Sequence, residues 1–276
     1  MKILITGPDG FIAKNMINYL SAQGHKIEGY NYIPNVLPNV EDYDWVIHLG
    51  AISSTTERDV EKVLEQNFEF SLRLLTLCDM QGTNFQYASS ASIYGITTDF
   101  REDAPVGPQS PYAWSKYLFD RVINQGGEFN VIVQGFRYFN VYGLYEDHKG
   151  PQASPVHKFT KQAKETGKIQ VFEKSNTFYR DFVCVEDICK VHAKFFDIDQ
   201  TGIWNVGTGE TKSFREIADT IAEKEGASVI EIPMPEDLKN QYQKYTCADL
   251  TKLNKLITMN WTDAIAVSYT HLRAHE

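Results

Sequence analysis

Tyr112 and Lys116 stand four residues apart in 110-SPYAWSKYLFD-120, a run whose apolar residues recur at helical spacing. Residues i and i+4 share a helix face, so a phenol and an ammonium project together. A neighbouring ammonium favours phenolate and lowers a tyrosine pKa from near 10, which would let Tyr112 act as acid or base near neutrality. Ser90, at the end of 84-NFQYASS-90, can add a hydroxyl to the same substrate oxygen, with Ser92 close behind it. A bare Y-x-x-x-K is more often a core tyrosine beside a solvated lysine. What reverses that balance is the company the pair keeps.

The chain opens with the β-branched run 2-KILIT-6, then GPDG, then apolar residues at helical intervals from Phe11 to Leu20. Gly7, Gly10 and Ala13 form a G-x-x-G-x-x-A turn. Its glycines let backbone approach a pyrophosphate at a helix N-terminus. Further strands are expected at 26–32, 44–51, 84–90 and 130–137, with one long helix over 57–78. Such alternation implies an α/β, Rossmann-like, doubly wound parallel sheet. Ligands of these sheets sit beyond the strands' carboxyl ends, where Gly50-Ala51, Ser89-Ser90 and Tyr138 to Tyr142 fall. After about Gly143 the pattern turns mixed, punctuated by Pro151, Pro155, Pro233 and Pro235, and 202-GIWNVG-207 reads as a strand returning to the main sheet. The expected organisation is a dinucleotide-binding domain over 1–143, with return segments near 181–207. A smaller mixed α/β substrate lobe is expected over 144–180 and 208–266.

A chain of 276 residues, 42% hydrophobic, can bury a full core. Its net charge of -9 argues against a general nucleic-acid binder, so an anionic ligand must be held locally. The 4 cysteines lack metal-ligand spacing, no signal peptide precedes the first strand, and no apolar run is long enough to span a bilayer. These features point to a cytoplasmic protein that needs neither metal nor membrane.

At these residues the chain resembles the extended short-chain dehydrogenase/reductase family. Within it the chain looks most like the ADP-L-glycero-D-manno-heptose 6-epimerases, through 50-GAISSTTE-57, 87-YASSASIYG-95, 135-GFRYFNVYG-143, 147-DHKG-150, 179-YRDFV-183 and 241-QYQKYTCADLT-251. The resemblance implies a nicotinamide cofactor, a nucleotide-diphosphate sugar as substrate and a homo-oligomer. Catalysis would fall to Tyr112, Lys116 and Ser90, with Lys149 of the HKG segment handling the proton on the sugar's other face. The implied reaction is redox-neutral, removing hydride from the exocyclic C6 and returning it to the opposite face. Cofactor contacts would come from Gly7, Gly10, Phe11, Ile12, Asn31 and Leu49, and further along from Gly50, Ala51, Ser53, Asn67 and Val141, besides Tyr112 and Lys116. Substrate contacts would come from Ser90, Asn140 and Lys158, and in the second lobe from Phe172, Glu173, Lys174, Ser175, Arg180 and Tyr242. Arginine's fork of donors suits phosphate, although Arg180 beside Asp181 could also form an internal salt bridge.

Three departures bear on this transfer. Tyr30-Asn31 stands where an acidic residue ends the second strand, and only a short segment precedes the next strand, so one strand-helix unit is cut down. With neither an acid for the ribose 2′-hydroxyl nor a nearby cation for a 2′-phosphate, NAD and NADP both stay open, and only the resemblance points to NADP. Pro151 follows the HKG segment in place of a small hydroxyl residue, and His157 or Lys158 stands where a substrate-binding histidine belongs. A dehydratase would need an Asp-Glu pair after Ser90, where Ala91 and Ser92 stand. A nucleotide-sugar 4-epimerase or 4-reductase of the same family is the second reading, and a non-catalytic dinucleotide-sensing module a remote one, disfavoured by the intact Ser, Tyr and Lys. Residues 267–276, VSYTHLRAHE, break the final helical pattern and read as a non-native tail.

Overall fold

A computed structural model describes residues 1–236 and 243–264. In chain order its strands are β1 (Lys2–Thr6), β2 (Lys26–Tyr30), β3 (Trp45–His48), β4 (Asn84–Ser90), β5 (Val133–Tyr138), β6 (Asn140–Tyr142) and β7 (Lys168–Phe172). They continue with β8 (Tyr179–Arg180), β9 (Phe182–Cys184), β10 (Gly202–Val206), β11 (Lys212–Ser213), β12 (Ser228–Ile232) and β13 (Tyr245–Thr246). The helices are α1 (Phe11–Ala22), α2 (Val60–Leu64), α3 (Phe70–Gln81), α4 (Pro111–Gln125), α5 (Pro155–Thr166), α6 (Val185–Phe195) and α7 (Phe214–Glu225).

Six strands form one sheet in the order β10-β5-β4-β3-β1-β2, and every pairing is parallel. Both faces must therefore be covered, and the strand sequences show it. Ile3, Ile5, Trp45, Ile47, Phe136 and Trp204 pack with α1 and α6. The alternate residues Leu4, Val46, Phe85, Val133 and Ile203 pack with α3 and α4. The expected doubly wound sheet is thus present, with 202–206 as its returning edge strand. Chain direction reverses between β1, which leads out to β2, and β3, which leads to β4. That switch point opens a crevice at the strands' carboxyl ends.

Two local departures shape the site. The described residues between β2 and β3 form no helix, and 33–43 hold only an isolated bridge between Ile33 and Val36. Pro34 and Pro38 in that segment deny a helix its backbone donors. The single helix expected over 57–78 is instead α2, a π-helical turn over Glu65–Glu69, and α3 running on to Gln81. The wider turn accommodates buried Asn67, whose amide exchanges bonds of 2.8 and 2.9 Å with the backbone of Ile52.

Beside the main sheet, β7 and β12 pair in parallel, and their apolar residues pack with α5 and α7 around Val156, Phe159, Ile169, Ile217 and Ile221. Strands β11, β8 and β13 form a small mixed sheet, and β6 pairs with β9. Among the described residues no helix is long and apolar enough to cross a membrane.

Candidate active site

The crevice is built from touching backbones. Gly7 has φ +66°, and a Cβ there would lie 2.6 Å from the Cα of Gly50. Any side chain at Gly7 would therefore push the turns after β1 and β3 apart. Gly10, the residue that precedes α1 as its N-cap, donates its N–H to the Gly7 carbonyl at 2.9 Å. Below the turns runs a polar chain: Gly50 N–H donates to Thr6 Oγ1 (3.0 Å), which bonds His48 Nδ1 (2.7 Å), while His48 Nε2 bonds Ser71 Oγ (2.8 Å). Ser71 gives its own proton to the Asn67 carbonyl, so Nε2 of His48 must be the donor and Nδ1 accepts from Thr6. Burial, seconded by the charge of Lys116, drives the His48 pKa down to about 3, so this neutral tautomer holds the two turns in register.

Above the turns lies a cavity of about 180 Å³ walled by Thr6, Gly7, Asn31, Tyr32, Gly50, Ala51, Ile52, Gln66 and Phe70. Narrow, with glycine floors beside a helix N-terminus whose N-cap, Gly10, offers no side-chain cap, it fits one end of a dinucleotide. Of the expected cofactor residues, Gly7, Asn31, Gly50 and Ala51 line it directly. Gly10 precedes α1 and Phe11 begins it, and Ile12, Leu49 and Val141 pack on the adjoining core. Asn67 acts through the Ile52 backbone, whereas Ser53 is exposed and not among the walls. Among the described residues no Lys or Arg lines the cavity, so the NADP suggested by resemblance gains no support here.

Tyr112, Lys116 and Ser90 meet where β4 ends and α4 begins. Ser110 caps α4 by accepting from Ala113 N–H at 3.2 Å, and Pro111 follows at the first helical position. Ser90 is the side chain that acts on the Tyr112 phenol. The expected lowering of the tyrosine pKa by Lys116 is not what the structure has. Burial raises the Tyr112 pKa, with only Ser90 opposing it. The reason is that Lys116 directs its ammonium to the Ala88 carbonyl at 2.8 Å. Lys116 is itself 6% exposed, and burial lowers its pKa to about 8 against the opposing pull of Asp120. Asp120 in turn is ion-paired with Arg137 at 2.8 Å, both nearly fully buried, which clamps α4 to β5. Ser115 donates to the Tyr112 carbonyl and accepts from Asn67 Nδ2, so the helix is tied to the crevice. The hydroxyls of Ser89 and Ser92 are buried without a hydrogen-bond partner among the described residues.

Lys149 packs on α1, its Nζ lying 5.1 Å from the ring centre of Phe11 at the start of that helix. Burial and the charge of Lys158 lower its pKa, with Glu146 opposing. Fully buried Glu146 organises this loop by accepting from Gly143 N–H, Ser154 N–H and Ser154 Oγ. Asn15 of α1 holds the Leu144 carbonyl at 2.9 Å.

The second lobe contains a cavity of about 250 Å³ lined by Pro155, Lys158, Phe159, Phe172, Ser175, Phe178 and Phe214, among others. Ser175 Oγ is buried there without a partner among the described residues. Glu173 and Lys174 sit on the exposed turn beside it and are not walls. Asn140 turns its amide to the Asp181 carbonyl and Thr246 Oγ1, both at 3.2 Å. Arg180 is buried, donates to the Tyr179 and Gln243 carbonyls, and lies 5.3 Å from the Phe214 ring centre. Asp181 directs its carboxylate elsewhere, accepting from the backbone of Thr208, Gly209 and Ala248. Tyr242 and the 267–276 tail lie outside the described residues. No sequence signal marks Thr6, Tyr32, Ile52, Gln66 and Phe70 as crevice walls, or Phe159, Phe178 and Phe214 as walls of the lobe cavity. Thr6 stands at the end of β1, and the others reach their cavities only through folding.

The family model for NAD dependent epimerases/dehydratases matches residues 33–207. Among solved structures, the ADP-L-glycero-D-manno-heptose-6-epimerase of Helicobacter pylori superposes with TM-score 0.84 at 24% identity, covering 98% of this chain and 94% of that one. A UDP-N-acetylglucosamine 4-epimerase from Methanobrevibacter ruminantium gives 0.83 at 21%, covering 94% and 92%. The UDP-glucose 4-epimerase of Thermus thermophilus, in complex with NAD, gives 0.80 at 24% with 100% of both chains covered. At these identities the structures speak for the fold, whereas the family match spans well over half of the sequence and takes in β3, β4, α4 and β5 with Ser90, Tyr112 and Lys116. The chain belongs to the NAD-dependent epimerase/dehydratase family.

Proposed function

We propose that the protein is a nucleotide-sugar epimerase that oxidises one sugar carbon transiently and restores it with inverted configuration, with an ADP-heptose epimerised at C6 as the leading substrate. The observation that carries this reading is the placement of Tyr112 against Ser90, with Lys116 on the Ala88 carbonyl, at the end of β4 beside a glycine-floored crevice. Bound NAD would supply hydride removal and return. Tyr112 would take the proton from the sugar hydroxyl as the carbonyl forms and give it back afterwards, acting in the first step as the phenolate, the form that burial disfavours in the ligand-free chain. Ser90 fixes that oxygen, and Lys116 holds β4 to α4 so that the two hydroxyls stay aligned. Lys149, packed on Phe11 at the start of α1, serves the second face of the rotated ketone. Phe172, Ser175, Lys158 and Arg180 would hold the nucleotide diphosphate, with the lobe's aromatic walls suited to a base.

A 4-epimerase or 4-reductase acting on a UDP-sugar is the second reading, favoured by the near-equal likeness to the Methanobrevibacter 4-epimerase structure. Incubation with NAD and each candidate sugar, followed by NMR, separates them. Inversion at C6 of ADP-heptose supports the first reading and inversion at C4 of a UDP-sugar the second. Net oxidation of reduced cofactor, supplied in place of NAD with a keto-sugar nucleotide, indicates a reductase, and cofactor binding without turnover of any sugar would defeat the epimerase assignment.

A further inference from the structure

The end of β2 lacks the carboxylate that would meet an adenosine ribose, yet a carboxylate reaches that place from another element. Asn31, on the cavity wall, donates from Nδ2 to Asp9 Oδ2 at 2.8 Å. Asp9 belongs to the GPDG turn, and two more contacts press that turn onto β2. Gly7 N–H donates to the Tyr30 carbonyl at 2.9 Å, and Pro8 lies so close to Gly29 that a Cβ there would come within 2.8 Å of it. The exposed carboxylate of Asp9 is thereby fixed at the rim of the crevice and keeps Oδ1 for another donor.

The surroundings of this rim are acidic as well. Tyr32, the neighbouring wall, donates to Glu65 Oε1 at 2.8 Å. The charges acting on Tyr32 are the carboxylates of Glu65 and Glu69 against the cation Arg73.

We infer that Asp9, held by Asn31, is the residue that selects the cofactor, accepting a hydrogen bond from the adenosine ribose diol and rejecting a 2′-phosphate. A hydroxyl donating to a carboxylate makes a short, charge-assisted bond, whereas a phosphate dianion in the same place meets a fixed like charge. The inference rests on the NAD-dependent reading above and adds to it a residue and a direction of preference.

The test is direct titration of the full chain with NAD and with NADP, by calorimetry or quenching of intrinsic fluorescence, for the wild type and for Asp9→Asn, Asp9→Ser and Asn31→Ala. The wild type should bind NAD more tightly than NADP by roughly thirtyfold or more, as expected for gaining one charge-assisted bond and avoiding one repulsion. Asp9→Ser should bring the two affinities to within about threefold by weakening NAD and strengthening NADP. Asp9→Asn, which keeps shape and loses only charge, should relax the preference chiefly through NADP. Asn31→Ala, which frees the carboxylate, should weaken NAD while both cofactors still bind. A wild type without preference, or an unchanged ratio in Asp9→Ser, overturns the inference but leaves the dinucleotide site standing. A wild type that prefers NADP and loses that preference in Arg73→Ala overturns it in favour of Arg73. Binding of neither dinucleotide to the wild type overturns the inference together with the reading beneath it.

Discussion

The two cavities differ in what makes them. The crevice between β1 and β3 is a backbone construction, in which Gly7 and Gly50 touch and a neutral histidine relay holds them below. The lobe cavity is made of side chains from α5, β7, α7 and β12, chiefly the rings of Phe159, Phe172, Phe178 and Phe214. A backbone site cannot be retuned without moving two strands. A side-chain site can be reshaped one ring at a time. This division predicts that the two sites respond differently to single substitutions.

The largest effect should come at Tyr112, the proton handler of the proposed reaction. Tyr112→Phe removes the proton donor but retains the ring, and general acid-base catalysis is worth about 10²–10⁴ in rate. Turnover should fall by that much while the affinities for cofactor and sugar nucleotide stay within a few-fold of wild type, as measured by steady-state kinetics beside binding titrations. A variant with near-normal turnover would remove Tyr112 from the chemistry.

Next in size, Gly7→Ala sets a methyl 2.6 Å from the Gly50 Cα on a backbone with φ +66°. Left-handed strain alone costs about 1–2 kcal/mol, and the clash adds separation of the turns. NAD affinity should drop at least about tenfold, since about 1.4 kcal/mol is a factor of ten, and the melting temperature should fall by several degrees. Phe214→Ala, the counterpart in the lobe, should raise the KM for the nucleotide sugar by a comparable factor and leave NAD affinity unchanged. If Phe214→Ala weakens NAD as much as Gly7→Ala does, the two sites are not separable.

These unequal constructions also explain what could be read from the sequence. The sheet was legible because a parallel strand buried on both faces must be apolar throughout, as in 2-KILIT-6 and 44-DWVIHLGA-51. The crevice was legible because touching backbones demand glycine, and glycine shows in a sequence. Hidden from view was any contact that arises between elements distant along the chain, such as the rings of the lobe cavity or the bond from Asn31 to Asp9. The direction of the Tyr112 pKa is hidden for the same reason. Helical spacing places phenol and ammonium on one face, but it cannot show that the Ala88 carbonyl takes the ammonium or that burial outweighs it.

The smallest expected effect tests that last point as a matter of stability. The Lys116 pKa is lowered from 10.5 to about 8 by burial, so at neutral pH the folded chain carries an ammonium it disfavours. At about 1.36 kcal/mol per unit this amounts to about 3 kcal/mol, partly offset by the bond to Ala88, which Lys116→Met would also delete. Lys116→Met should therefore lack activity yet melt at the same temperature as wild type, or a few degrees higher, at about pH 7. The sign follows from proton counting. Between about pH 8 and 10.5 the unfolded lysine keeps its proton while the folded one releases it, so wild-type stability rises with pH across that window. The advantage of the methionine should shrink over the same interval and vanish above it, where lysine is neutral in both states. Melting curves of the two proteins at about pH 7, 9 and 10.5 check this. A methionine variant that is destabilised equally at all three would show that Lys116 holds the fold together through packing, and that its charge is not a burden on it.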